Sequence, residues 1–154
     1  MNSPYETTIY IVDSDEVYTG HMERMLRKFG FSEIITFNSA VKALSALLER
    51  KVKNSIVIAD SAACKKITFG DFISKLKERY KDIKIMVLSA SERLSDKLSA
   101  LSKGIRHYIS KNSDDSVILD DVMKLIGEIS INDIIKKTTT GIEQEWLSRI
   151  KNQV

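Results

Sequence analysis

Apolar runs alternating with longer stretches of helical periodicity organise this chain. The runs cover residues 7–12, 34–37, 56–59, 83–88 and 107–110, and most are rich in β-branched residues, which suit a pleated backbone. Between them, apolar residues recur at the spacing that lines one face of a helix. Val17, Met22, Met25, Leu26 and Phe29 make the first stripe, ending at Gly30, a natural carboxyl-terminal cap. Ser39 stands where it can cap a second helix carrying Val41, Leu44, Leu47 and Leu48. Phe69, Phe72, Ile73, Leu76 and Tyr80 line a third. Leu94, Leu98 and Leu101 line a fourth, stopped at Gly104, and Val117, Ile118, Val122, Leu125 and Ile126 a fifth.

Strand and helix therefore alternate five times with short connections. Strands joined through helices require right-handed crossovers and a parallel sheet covered on both faces. The uninterrupted apolar character of residues 56–59 and 83–88 fits central strands buried on both sides. The simplest arrangement is an α/β fold: a flavodoxin-like, doubly wound, five-stranded parallel sheet in the order 2-1-3-4-5. Residues 1–128 supply this domain, and residues 129–154 are expected to add a helical extension.

Composition changes the picture little. The chain has 154 residues, 43% apolar and 29% charged, enough for one core. A net charge of +3, with no clustering of basic and aromatic residues, argues against nucleic acid. Cys64 is the only cysteine, so an intramolecular disulfide and a cysteine metal cage are excluded. The first residues lack a signal-peptide pattern, and no apolar run approaches membrane-spanning length. A cytoplasmic protein with no membrane partner is expected.

Ligands of an open parallel sheet bind beyond the carboxyl ends of its strands. Those ends read Val12-Asp13-Ser14-Asp15-Glu16, Ile58-Ala59-Asp60-Ser61, Leu88-Ser89-Ala90 and Ile109-Ser110-Lys111-Asn112. Carboxylates from two strands gathered on one rim repel one another unless a cation sits between them, and a hard ion such as Mg²⁺ suits them. A carboxylate beside such an ion and a lysine can attack a phosphoryl group, because both cations neutralise charge in the transition state. Ser89 could then hydrogen-bond an added phosphoryl oxygen.

In this order the residues resemble the receiver domains of bacterial response regulators, over roughly residues 6–128. The resemblance implies that Asp60 accepts a phosphoryl group. It implies Mg²⁺ held by Asp13, Asp60, the backbone carbonyl of Ala62 and, weakly, Ser14. Ser89 and Lys111 would bind the phosphoryl group, and Tyr108, three residues before the lysine, would be the switch aromatic. A sensor histidine kinase or phosphotransfer protein would be the donor, and a downstream protein the target, with a homodimer as a further option.

The chain also departs from that pattern. Ser14 replaces the second member of the family's adjacent acidic pair, and Asp15, about to open a helix, is expected to point elsewhere. The family's Lys-Pro reads Lys111-Asn112, where a cis bond would cost about 3 kcal/mol and a trans bond can displace Lys111. The loop after Asp60, residues 61–68, is longer and lacks proline. These changes keep a second reading open, an atypical receiver that works as a protein-interaction module without phosphorylation. A third is a haloacid-dehalogenase-type phosphatase, which Asp13-Ser14-Asp15-Glu16-Val17 also resembles. Asp13 would be its nucleophile and Asp15 its general acid, but Asp120-Asp121, its metal pair, falls within a helical pattern.

Other residues have plainer readings. His21 and His107 are too scattered to share a metal, and surface or edge positions suit them. Lys65 and Lys66 are solvated loop charge, and a redox role for Cys64 is not expected. In the extension, Ile142, Trp146, Leu147 and Ile150 fall at i, i+4, i+5 and i+8, a short amphipathic pattern. It either packs back onto the domain or binds a partner with Trp146 as anchor.

Overall fold

The computed structural model describes residues 3–91 and 93–128. Five strands, β1 (Thr8–Val12), β2 (Ile34–Phe37), β3 (Ser55–Ala59), β4 (Lys84–Ser89) and β5 (His107–Ser110), pair in parallel in the order β2-β1-β3-β4-β5. The register aligns the rim: Val12 lies opposite both Phe37 and Ala59, Ala59 opposite Val87, and Ser89 opposite Ser110. The helices are α1 (Glu16–Phe29), α2 (Ala40–Leu48), α3 (Phe69–Arg79), α4 (Leu94–Ser102) and α5 (residues 115–128).

Period-two alternation divides the core into two layers. Ile9, Ile11, Ile56, Ile58, Met86 and Leu88 face α1 and α5. Tyr10, Val12, Val57, Ala59, Ile85 and Val87 face α2, α3 and the end of α4. Because β1, β3 and β4 are buried on both faces, nearly all their positions are apolar.

Local chemistry sets the element ends. Asp15 caps α1 by accepting from the Tyr18 amide at 3.1 Å, and Ser39 and Thr68 cap α2 and α3 the same way. Gly30 ends α1 at φ 125°, a region that disfavours side chains, and its N–H returns to the carbonyls of Leu26 and Arg27.

Helical face assignment is where sequence and structure part. Met22 and Leu26 are fully buried, but Val17 and Phe29 are exposed, as are Val41 and Leu48 of α2 and Val117 of α5. In α4 the inward residue is Ala100, whereas Leu94, Leu98 and Leu101 are 69%, 54% and 57% exposed. Ala100 joins the core layer, and the leucines face away from it. Tyr80 follows α3 and ties it to α2, its hydroxyl donating to the carbonyls of Leu47 and Arg50.

Candidate functional site

Asp13, Asp60 and Ser89 are three of the few polar side chains buried in the described residues, and each directly follows or ends a strand. The Asp13 amide donates to the Phe37 carbonyl at 3.0 Å, which holds it against β2. Its carboxylate accepts from the Asp15 amide at 2.9 Å, an Asx turn that steers the chain into α1. Asp60 is built alike: its amide donates to the Val12 carbonyl at 2.9 Å, and its carboxylate accepts from the Ala62 amide at 3.0 Å. That bond starts a 3-10 turn, Ser61–Ala63. Each carboxylate thus keeps one oxygen for its own backbone and turns the other into the pocket.

Lys111 receives both free oxygens. Its ammonium lies 2.8 Å from Asp13 Oδ2 and 2.6 Å from Asp60 Oδ2, with 12% of the side chain exposed. Its amide donates to the Ser89 carbonyl at 2.9 Å, which anchors the lysine beside the end of β4. No described peptide bond is cis, and Lys111 nevertheless stands between the carboxylates, so the expected displacement does not occur. Burial opposes the ammonium charge, but the hydrogen bonds and fields of Asp13 and Asp60 outweigh it and raise the lysine's pKa.

Two carboxylates and one ammonium leave the pocket one negative charge in excess, so it favours a further cation. The donor set fits Mg²⁺ of the kind held by one or two carboxylates, with phosphate oxygens and waters completing the shell. Asp13 and Asp60 would be the protein carboxylates, with Ala62 on the turn that follows Asp60. Ser14 is exposed, and Asp15 is committed to capping α1. Among the described residues no group of three or more His, Cys, Asp or Glu is arranged to hold a metal.

Tyr18 is a neighbour that sequence reasoning missed. Its ring centroid lies 4.6 Å from the Lys111 ammonium, a cation–π arrangement. Its hydroxyl is the one buried side-chain polar atom among the described residues without a hydrogen-bond partner. Burial, assisted by Asp13, Asp115 and Asp60 and opposed by Lys111, pushes the phenol up to about 12. The available signal was its place on the first turn of α1, close after Asp13. Burial and then the charge of Asp60 push the Cys64 thiol up to about 11, away from the reactive thiolate.

Ser89 Oγ accepts from the Ser91 amide at 3.1 Å, leaving its own proton available. Tyr108 is half-buried, and its hydroxyl donates to the Ser91 carbonyl at 3.1 Å, so both residues meet the loop after β4. His107 opens the edge strand β5, half-buried, and bridges Asp121 and Glu128 of α5, at 3.0 Å each. His21 is exposed and pairs with Asp115 at 2.9 Å. Asp120 pairs with Lys124, so the Asp120-Asp121 pair is engaged along α5 rather than at the rim. Lys65 and Lys66 are exposed. Trp146 lies outside the described residues.

The sequence profile of the response regulator receiver domain matches residues 9–123. No curated protein matches the chain. Among solved structures it is similar to a CheY-like response regulator receiver domain protein from Methanospirillum hungatei, at 16% identity and a TM-score of 0.73, covering 82% of this chain and 98% of that one. It is also similar to the signal receiver domain of an HD domain-containing protein from Pseudomonas fluorescens, at 20% identity and a TM-score of 0.74, covering 86% and 96%. A third is a response regulator from Burkholderia pseudomallei with a phosphorylated aspartic acid, a calcium ion and citrate. It has 18% identity and a TM-score of 0.66, covering 85% of this chain and 75% of that one.

Proposed function

This chain belongs to the response regulator receiver domain family of two-component signalling, and on that premise we propose that Asp60 accepts a phosphoryl group from a phosphohistidine. The donor would be a sensor histidine kinase or a phosphotransfer protein. The observation that carries the reading is the buried Asp13–Lys111–Asp60 bridge, at 2.8 and 2.6 Å, on the rim where β1, β3 and β5 end.

Asp60 Oδ2, the oxygen not engaged by its own turn, attacks phosphorus as the bond from phosphorus to the donor imidazole breaks. The imidazole departs neutral with a proton on its other nitrogen. Lys111 loses its contact with the charge on Asp60 and follows it onto a phosphoryl oxygen, retaining Asp13. Ser89 turns its hydroxyl proton to a second oxygen, so that the added charge meets a donor from β4 and one from the end of β5. Bound Mg²⁺, held by Asp13, Asp60 and the Ala62 carbonyl, would supply charge neutralisation for the transfer. Ser89 and Tyr108 both contact the Ser91 backbone. Movement of Ser89 toward the phosphoryl group therefore shifts the Tyr108 contact and biases the surface around α4 and β5 for a downstream protein. The chain acts as a phosphoryl acceptor and signalling module in the cytoplasm, with a homodimer as one form of its output. No helix among the described residues is long and apolar enough to cross a membrane.

The exposed Ser14, where the family carries a second acid, favours a second reading: a receiver-fold interaction module that stays unphosphorylated. One experiment separates them. Incubation with Mg²⁺ and acetyl phosphate should add the mass of one phosphoryl group, and Asp60→Ala should abolish it. No added mass at saturating Mg²⁺ would establish the unphosphorylated module, and labelling that persists in Asp60→Ala would refute the assignment of Asp60.

A further inference from the structure

We infer that Tyr18 is a positioning residue for phosphoryl transfer, the face of its ring holding the Lys111 ammonium in place between Asp13 and Asp60. The inference deepens the reading of Asp60 as phosphoryl acceptor and rests on it, although the holding itself can be measured without phosphoryl chemistry.

Lys111 needs such a hold. It is the residue directly after β5, and its charge sits at the end of a flexible four-carbon stem. Asp13 Oδ2 and Asp60 Oδ2 draw the ammonium from two directions, at 2.8 and 2.6 Å. The ring of Tyr18 meets the same nitrogen, its centroid 4.6 Å away, within the range of a cation–π attraction. Only 12% of the lysine side chain is exposed, so the contact is largely desolvated, where such attractions are strongest. Tyr18 reaches the rim because it is the third residue of α1. Side chains of a helix lean toward its amino end, which here follows the carboxyl end of β1.

A ring suits this task better than a third carboxylate would. Its quadrupole attracts the ammonium but carries no net charge, so the charge of Lys111 stays available to the phosphoryl oxygens in the transition state. When Asp60 accepts the group, Lys111 exchanges the Asp60 carboxylate for a phosphoryl oxygen. Asp13 and the ring keep the ammonium from leaving toward water during that exchange. The Tyr18 hydroxyl takes no part: it has no hydrogen-bond partner among the described residues and so holds nothing. Ring and hydroxyl can therefore be separated by mutation.

The test uses two readouts on Tyr18→Phe, which keeps the π face, and on Tyr18→Leu and Tyr18→Met, which are apolar and lack one. Circular dichroism melting confirms that each variant is folded. With Mg²⁺ and acetyl phosphate, the initial rate of phosphoryl labelling should fall about fivefold in Tyr18→Leu and Tyr18→Met, the worth of one such contact. Tyr18→Phe should restore it. Without a phosphodonor, brief acetylation of primary amines, read by peptide mass spectrometry, should find Lys111 severalfold more reactive in the two aliphatic variants than in the wild type or Tyr18→Phe. The exposed Lys65 and Lys66 serve as internal standards. An unchanged labelling rate in both aliphatic variants would overturn the inference, as would a Tyr18→Phe protein that behaves like them. A wild type that takes no label would refute the acceptor reading itself, and the reactivity of Lys111 would then decide the holding on its own.

Discussion

The pocket concentrates opposing residue-scale costs in a small volume. Asp13 and Asp60 are buried charges bridged by Lys111, and Tyr18 lies over the lysine while its hydroxyl has no partner among the described residues. An unsatisfied buried hydroxyl costs roughly 1–3 kcal/mol, so Tyr18→Phe, which keeps the ring over Lys111, should raise stability by about 1 kcal/mol in urea denaturation. Lys111, Tyr18 and Cys64 all hold their protons more tightly folded than unfolded. The unfolded chain therefore releases protons first, and stability, intact below about pH 9, falls as pH rises through the window from 9 to 12. The urea midpoint should decline across that window. Cys64→Ala and Tyr18→Phe should each remove part of the decline, on the order of 1 kcal/mol after solvent screening of these half-exposed groups. At Ser14 a carboxylate would add charge beside the Mg²⁺ site proposed at Asp13 and Asp60. Ser14→Asp should tighten Mg²⁺ binding about tenfold by isothermal titration, since oxygen-ligand charge sets such affinities.

At the scale of elements, small residues and caps carry much of the specification. Ala100 is the buried residue of α4, 2% exposed. Ala100→Leu, although it improves the apolar pattern, should destabilise the protein by about 2 kcal/mol through overpacking. Asp15→Ala should cost about 1 kcal/mol by uncapping α1, while leaving phosphoryl labelling of Asp60 intact, because Asp15 faces its own helix rather than the pocket. A melting curve and a labelling assay on the same variants distinguish the two effects. The α4 comparison also explains why a leucine stripe misleads. Periodicity identifies a helix face, but which face turns inward depends on the space beside the sheet.

The whole molecule couples the pocket to the fold, since its residues are the ends of strands in one sheet. Anything bound only by the folded pocket stabilises the entire domain. Mg²⁺ with beryllofluoride, a phosphoryl mimic, should raise the thermal midpoint of the wild type by several degrees and leave that of Asp60→Ala unmoved. The alternation of apolar runs and helical stripes was sufficient to determine five strands, their parallel order and the rim on which Asp13, Asp60, Ser89 and Lys111 stand, because periodicity and right-handed crossovers leave few arrangements. The caps at Ser39 and Gly30 were legible for the same local reason. Long-range geometry alone decided the rest. Lys111 sits on two carboxylates because β1, β3 and β5 are brought to one rim, while Asp15 turns to its own helix. Tyr18 roofs the lysine, and His107 joins β5 to α5 across many intervening residues. Local sequence records what a backbone segment prefers. Which distant charges must share a buried volume, and which helix face meets the sheet, follows only from the packed chain.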